Sequence, residues 1–308
     1  MIDTTVSKSE QAIAAGSQSF AGAARLFDRK TRDDAVMLYA WCRHCDDVID
    51  GQTLGMAQEA DFREGQQARL TLLRKKTNEA LAGHESDEYI FNALKRVVVR
   101  HQIPHRHPQE LLTGFEMDVA NRRYETLGDV LQYCYHVAGV VGVMMAMIMG
   151  SRDTEVLDRA CDLGLAFQLT NIARDVIDDA RAGRVYVPSE LLARHGVSQI
   201  DADDRLQWPK LHAAALDMLA VADDYYASAY EGLAALPPRS AWAIAAARRV
   251  YGAIGDKLRS GGPAEWEQRI STTRNKKMGL VALSLGDVAF TRFGRSGARR
   301  SGLWQRPV

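Results

Sequence analysis

LGLAFQLTNIARDVIDDARAGRVYVP, residues Leu163–Pro188, sets Gln168, Asn171, Asp175 and Asp179 at spacings of three, four and four. Between them stand apolar residues, among them Leu165, Phe167, Leu169, Ile172, Val176 and Ile177. Residues three and four apart share a helix face, so the stretch predicts a helix with one polar stripe on an apolar body. Such a stripe is costly in a protein interior unless something pairs with it. Arg174 stands beside it. The string Asp-Val-Ile-Asp at Asp175–Asp178 occurs once more, at Asp47–Asp50, within YAWCRHCDDVID (Tyr39–Asp50). There Asp46 and Asp50 share a face, Tyr39 and Arg43 continue it, and Asp47 lies about 100° round.

Working outward, helical punctuation dominates. Thr31-Arg32-Asp33-Asp34 reads as a cap and acidic first turn for a helix that Gly51 closes after Asp50. Apolar periodicity predicts further helices within about 57–81, 87–100, 108–120, 127–149, 154–180, 209–236, 240–259 and 278–290. No period-two alternation bounded by hairpin turns occurs. The expected fold is all-α: a single helical domain over residues 1–290, followed by a basic tail over 291–308. That tail carries Arg292, Arg295, Arg299, Arg300 and Arg306 with no acidic residue, and reads as solvated and mobile or as attracted to anionic lipid.

Of 308 residues, 46% are hydrophobic and 25% charged, which excludes disordered and collagen-like classes. Lys plus Arg equals Asp plus Glu at 39 each, so a nucleic-acid partner is not expected and phosphate recognition must be local. The apolar run Val137–Gly150 falls short of the roughly 20 residues of a membrane span and reads as core. With four cysteines and no leader-like start, a reducing cytoplasm is expected. Trp41-Cys42-Arg43-His44-Cys45 imitates a redox motif without the βαβ setting that motif needs. His101, His105 and His107 flank prolines and read as surface residues.

Acidic residues near a helix end are usually a solvated face. Yet Asp46, Asp47 and Asp50 oppose the macrodipole just before Gly51, and a second acidic stripe threads an apolar helix. Two such faces, each with an arginine, suit divalent cations such as Mg²⁺, which takes one or two carboxylates and completes its shell with phosphate oxygens and water. The arginines add charge-assisted bonds to phosphate. The reading is a diphosphate site; no P-loop or dinucleotide fingerprint is present.

YAWCRHCDDVID, YCYHVAGVVG (Tyr133–Gly142) and LGLAFQLTNIARDVIDDARAGRVYVP, in this order, resemble the squalene and phytoene synthase family. The resemblance runs from about Gly16 to Arg274 and extends to SAWAIAAARRVY (Ser240–Tyr251), closest to the bacterial phytoene-forming branch. It implies an isoprenoid-synthase-type bundle around an apolar cavity and head-to-head condensation of two prenyl diphosphates through a cyclopropyl diphosphate. It further implies Mg²⁺ or Mn²⁺ held by Asp46, Asp50, Asp175 and Asp179, with Asn171 an added ligand. Substrate contacts fall to Tyr39, Arg43, Gln168, Arg174 and Tyr251, and cation stabilisation to Tyr135 and Tyr186. NADPH is not expected; stimulation by ATP rests on the resemblance alone, as does peripheral attachment at the inner face of a membrane. Squalene-type members commonly carry a histidine where this chain has Gly16, which leaves Ser17, Ser19 and backbone groups to meet diphosphate there. The rival readings are a squalene or dehydrosqualene synthase using farnesyl diphosphate, chain elongation or cyclisation, and a non-catalytic helical assembly factor. Finally, Tyr135, Gly139 and Gly142 share one face of an unbroken helix, for close packing or for channel space.

Overall fold

The computed structural model describes residues 4–16, 18–52, 61–268, 270, 272–293 and 297–307, with the side chains of 15, 16, 18 and 19 outside that description. Among them every regular element is helical. In chain order these are α1 (Thr4–Gly16), α2 (Gln18–Ala24), α3 (Arg29–Asp50), α4 (Gln66–Leu81), α5 (Tyr89–His101), α6 (Arg106–Val119) and α7 (Leu127–Cys134). A π-helical turn (Tyr135–Gly139) leads into α8 (Val140–Ile148). Then follow α9 (Thr154–Arg181), α10 (Ser189–Arg194), α11 (Trp208–Glu231), α12 (Pro238–Gly261) and α13 (Arg274–Phe293). The 28-residue α9 runs through the middle, packed by α8, α11, α12 and the π turn. α3 packs on α1, α4 and α5 on the other side of the molecule's cavity.

The elements start and stop for local reasons. Asp28, not Thr31, caps α3: its carboxylate accepts from the Thr31 backbone N–H at 3.1 Å, so the helix opens one turn earlier than its sequence suggests. Gly51 ends it in the left-handed conformation at φ 58°. Asp153 accepts from the N–H groups of Glu155 and Val156 at the head of α9. Thr126 and Asp129 form a reciprocal capping box at the head of α7.

Three sequence expectations are corrected here. His101 and His107 are not surface residues. His101, with Arg100, holds the fully buried Asp34 at 2.8 and 2.7 Å, while His107 lies 2.9 Å from Glu110; only His105 is exposed. The tail is not simply solvated. Arg299 grips the buried Asp162 through two bonds of 2.8 and 2.6 Å, Arg306 pairs with Asp158 and Arg300 with Asp224. Trp304 lies against the Tyr135 ring at 5.3 Å.

The third concerns the segment 127–149. The π turn breaks it, and of Tyr135, Gly139 and Gly142 only Gly142 borders the cavity, so the three do not share a channel-facing stripe. A Cβ on Gly142 would sit 2.3 Å from the Ala160 carbonyl oxygen of α9, and one on Gly139 2.7 Å from the Leu165 side chain. Gly164 answers from α9, where a Cβ would lie 2.4 Å from the Ala138 oxygen. The glycines bring two backbones into contact. By length and composition Leu127–Ile148 could cross a membrane, but most of it is covered by protein here. Gly142→Ala is therefore expected to cost about 1–3 kcal/mol through overpacking. Thermal circular dichroism reads this as a fall of several degrees in Tm; an unchanged Tm would show that the two helices separate freely.

Candidate active site

A cavity of about 550 Å³ lies between α3, α6, α8, α9 and α12. Its long wall is apolar, with Leu111, Phe115, Val141, Met145, Leu163 and Ile244 among its lining. The polar end is made by two helix faces. From α3 come Tyr39, Arg43 and Asp46; from α9 come Gln168, Asn171, Arg174, Asp175 and Asp179. A mostly apolar pocket with convergent polar groups at one end is the form of a small-molecule site.

Each arginine is held by a carboxylate. Arg43 lies 2.9 Å from Asp46 and 3.1 Å from Asp47, and Arg174 grips its neighbour Asp175 through Nε at 2.7 Å and a second nitrogen. Arg184, in the turn after α9, reaches across to Asp50 on α3. Asp50 is thus covered by Arg184, which lines the cavity in its place. Burial, then the Asp50 charge, pushes the Asp46 carboxyl up to about 7 although its side chain faces the cavity. Burial and Asp175 likewise raise Asp179 well above the carboxylate range. Among the described residues nothing hydrogen-bonds or ion-pairs the Asp179 side chain, and the buried Asn171 Oδ1 has no partner.

Those unmet oxygens are the observation against which an ion can be tested. The donors are all hard oxygens, Asp46, Asp175, Asp179 and the Asn171 amide, which fits Mg²⁺ or Mn²⁺ and not a thiolate-preferring metal. Among the described residues no three acidic, His or Cys side chains form a closed cage.

Most of the expected site residues converge. Tyr39 stacks on Phe20 with centroids 4.2 Å apart, and Tyr251 stacks on Phe167 at the same distance; both tyrosines line the cavity. Tyr186 lines it as well. Tyr135 does not. Fully buried, it donates to Glu110 at 2.7 Å on the far side of its helix and backs onto Trp304. Tyr133 takes the cavity position instead, stacked on Tyr186 at 4.9 Å. Ser17 and the side chain of Ser19 lie outside the described residues.

Among the cavity residues that the sequence reading did not assign to the site are Tyr133, Asp118 and Arg184. Asp118, from the last turn of α6, accepts from the hydroxyls of Tyr186 at 2.8 Å and Tyr133 at 3.2 Å. Burial pushes its carboxyl up to about 6, against the pull of Arg184 and the Tyr186 hydroxyl. The signal was available, because a carboxylate in the last helical turn opposes the macrodipole just as Asp46 and Asp50 do.

Comparison with known proteins agrees with this geometry. Residues 13–276 match the family model described as squalene/phytoene synthase. A 15-cis-phytoene synthase from a Paracoccus species is 56% identical over 299 residues, covering 97% of each chain. One from Enterobacter agglomerans is 49% identical over 293 residues, 95% of this chain and 99% of that one. The crystal structure of a dehydrosqualene synthase in complex with ligand superposes with a TM-score of 0.81 at 25% identity, covering 93% of this chain and 97% of that chain. With its motif-bearing helices facing one cavity and its length matched almost end to end, the chain belongs to the squalene/phytoene synthase family.

Proposed function

We infer that the protein is a phytoene synthase, a prenyltransferase that joins two geranylgeranyl diphosphates head to head and releases diphosphate. The observation that carries the reading is one apolar cavity ended by two facing Asp–Arg helix surfaces, in a chain 48–56% identical to phytoene synthases over nearly its whole length.

The chain's own groups divide the work. Arg43, Arg174 and Arg184 offer charge-assisted hydrogen bonds to diphosphate oxygens once it displaces part of their present carboxylate pairing. Asp46, Asp175, Asp179 and Asn171, with Asp50 behind Arg184, would hold Mg²⁺ or Mn²⁺, which supplies Lewis-acid charge for diphosphate departure. The apolar wall holds the prenyl chains and keeps water from the allylic cation that departure leaves. Tyr133 and Tyr186, stacked on each other, line the cavity, where their rings would stabilise positive charge, and their hydroxyls are tied back to Asp118. Gln168, Tyr39 and Tyr251 shape the diphosphate end. Stimulation by ATP belongs to the same proposal and has no site assigned to it.

Purified protein given Mg²⁺ or Mn²⁺ and geranylgeranyl diphosphate is expected to make phytoene, identified by mass and absorbance, at equal yield with and without NADPH. Conversion of farnesyl diphosphate to squalene on adding NADPH, with geranylgeranyl diphosphate left unused, would move the chain to the squalene branch.

A further inference from the structure

Helix α13 is amphipathic the wrong way round for a soluble surface helix. Its inward face carries Ser284, Asp287 and Thr291, all buried, beside the partly buried Leu280, Val281 and Val288, and polar contacts help to hold it. Asp287 takes both guanidinium nitrogens of Arg249, and Trp242 donates to the Val281 carbonyl at 3.1 Å. Its outward face carries Met278, Leu283, Phe290 and Phe293, which are 63, 60, 71 and 91% exposed, with Leu285 beside them. At 100° per residue the exposed apolar positions from Leu285 to Leu283 span about 160° of arc. Gly279 and Gly286 lie within that arc, and nothing approaches either.

Charge borders the arc on both sides. Arg274 stands at one edge, with Arg292 beside it turning one nitrogen back to the Leu236 carbonyl at 2.9 Å, and Lys276 stands at the other, while the helix's single acidic residue, Asp287, is buried and paired inward. An apolar stripe rimmed by cations and free of exposed carboxylate is complementary to an anionic lipid surface, where long basic side chains reach the headgroups. A second observation points the same way: Lys277 and Val281, on the opposite side of α13, line the substrate cavity.

We propose that α13 docks the protein on an anionic bilayer, lying in the plane of the headgroups, so that the cavity behind it exchanges apolar chains with the membrane. The cargo in that statement rests on the proposed reaction; the docking does not. This surface also differs from the basic tail, whose Arg299, Arg300 and Arg306 are engaged with Asp162, Asp224 and Asp158.

The test uses the full chain without substrate, so its outcome is independent of which prenyl diphosphate the enzyme takes. Sedimentation is measured with phosphatidylcholine vesicles and with vesicles containing phosphatidylglycerol. The wild type should bind the anionic vesicles and be released as salt rises. The double variant Leu283→Glu, Phe290→Glu should lose at least about tenfold in partitioning, with its circular dichroism unchanged because both side chains are already in water. Leu206→Glu, at an exposed apolar residue elsewhere, should bind as the wild type does. Equal binding by the α13 variant and the wild type would overturn the proposal. So would failure of the wild type to bind anionic vesicles, or its isolation as a dimer that Leu283→Glu, Phe290→Glu converts to monomer without any vesicle binding.

Discussion

Asp46→Asn and Asp179→Asn each lower turnover by roughly 100-fold or more while leaving Tm unchanged or raised. The two residues come from different helices and face one cavity. Both carboxyls are pushed toward their neutral forms by burial and by neighbouring carboxylates, so each charge costs the folded state energy that an amide of the same shape does not. A purely structural role predicts the reverse pairing, lowered Tm with activity lost in proportion. Product formation at saturating Mg²⁺, measured beside thermal denaturation, separates the two. Turnover within a few-fold of wild type in both variants would sink the role assigned to these faces.

Arg299→Ala has the largest expected effect on stability. Asp162 is fully buried and accepts two bonds from Arg299 and one of 2.6 Å from Ser228. Removing the guanidinium strands a carboxylate in the core of α9, which costs about 3–5 kcal/mol. For a chain this long that corresponds to a fall in Tm of about 5–8 °C. Replacing the pair together, as Arg299→Met with Asp162→Leu, should recover much of the loss, because no charge is then left buried. If Arg299→Ala melts with the wild type, the tail contact contributes nothing.

The catalytic helices were legible because their spacing is unambiguous. Gln168, Asn171, Asp175 and Asp179 cannot share a face on anything but a helix, and Tyr39, Arg43 and Asp46 follow the same rule. The choice of tyrosine was not legible. Tyr133 and Tyr135 lie about 200° apart on a helix, and which one meets the cavity depends on how packing rotates that helix. The π turn was hidden for a related reason: an extra residue in a turn leaves the apolar pattern of 127–149 almost intact while changing every direction after it. The tail was misread because composition sees five arginines and no acid nearby, whereas Arg299, Arg300 and Arg306 find their partners Asp162, Asp224 and Asp158 on α9 and α11. α1 and α10 carry too few apolar positions, in too short a span, to announce a helix.

The pairing of Arg299 with Asp162 has a consequence for biosynthesis. The helix that bears half the carboxylates proposed for the site leaves the ribosome with its buried Asp162 unmatched, and the matching guanidinium follows only 137 residues later. At translation rates of about 5–20 residues per second that interval lasts on the order of ten seconds, during which Asp162 lacks its cation. An order of events is thereby written into one ion pair: α9 emerges well before the group that neutralises its buried carboxylate, and gains that part of its stability only when the group arrives.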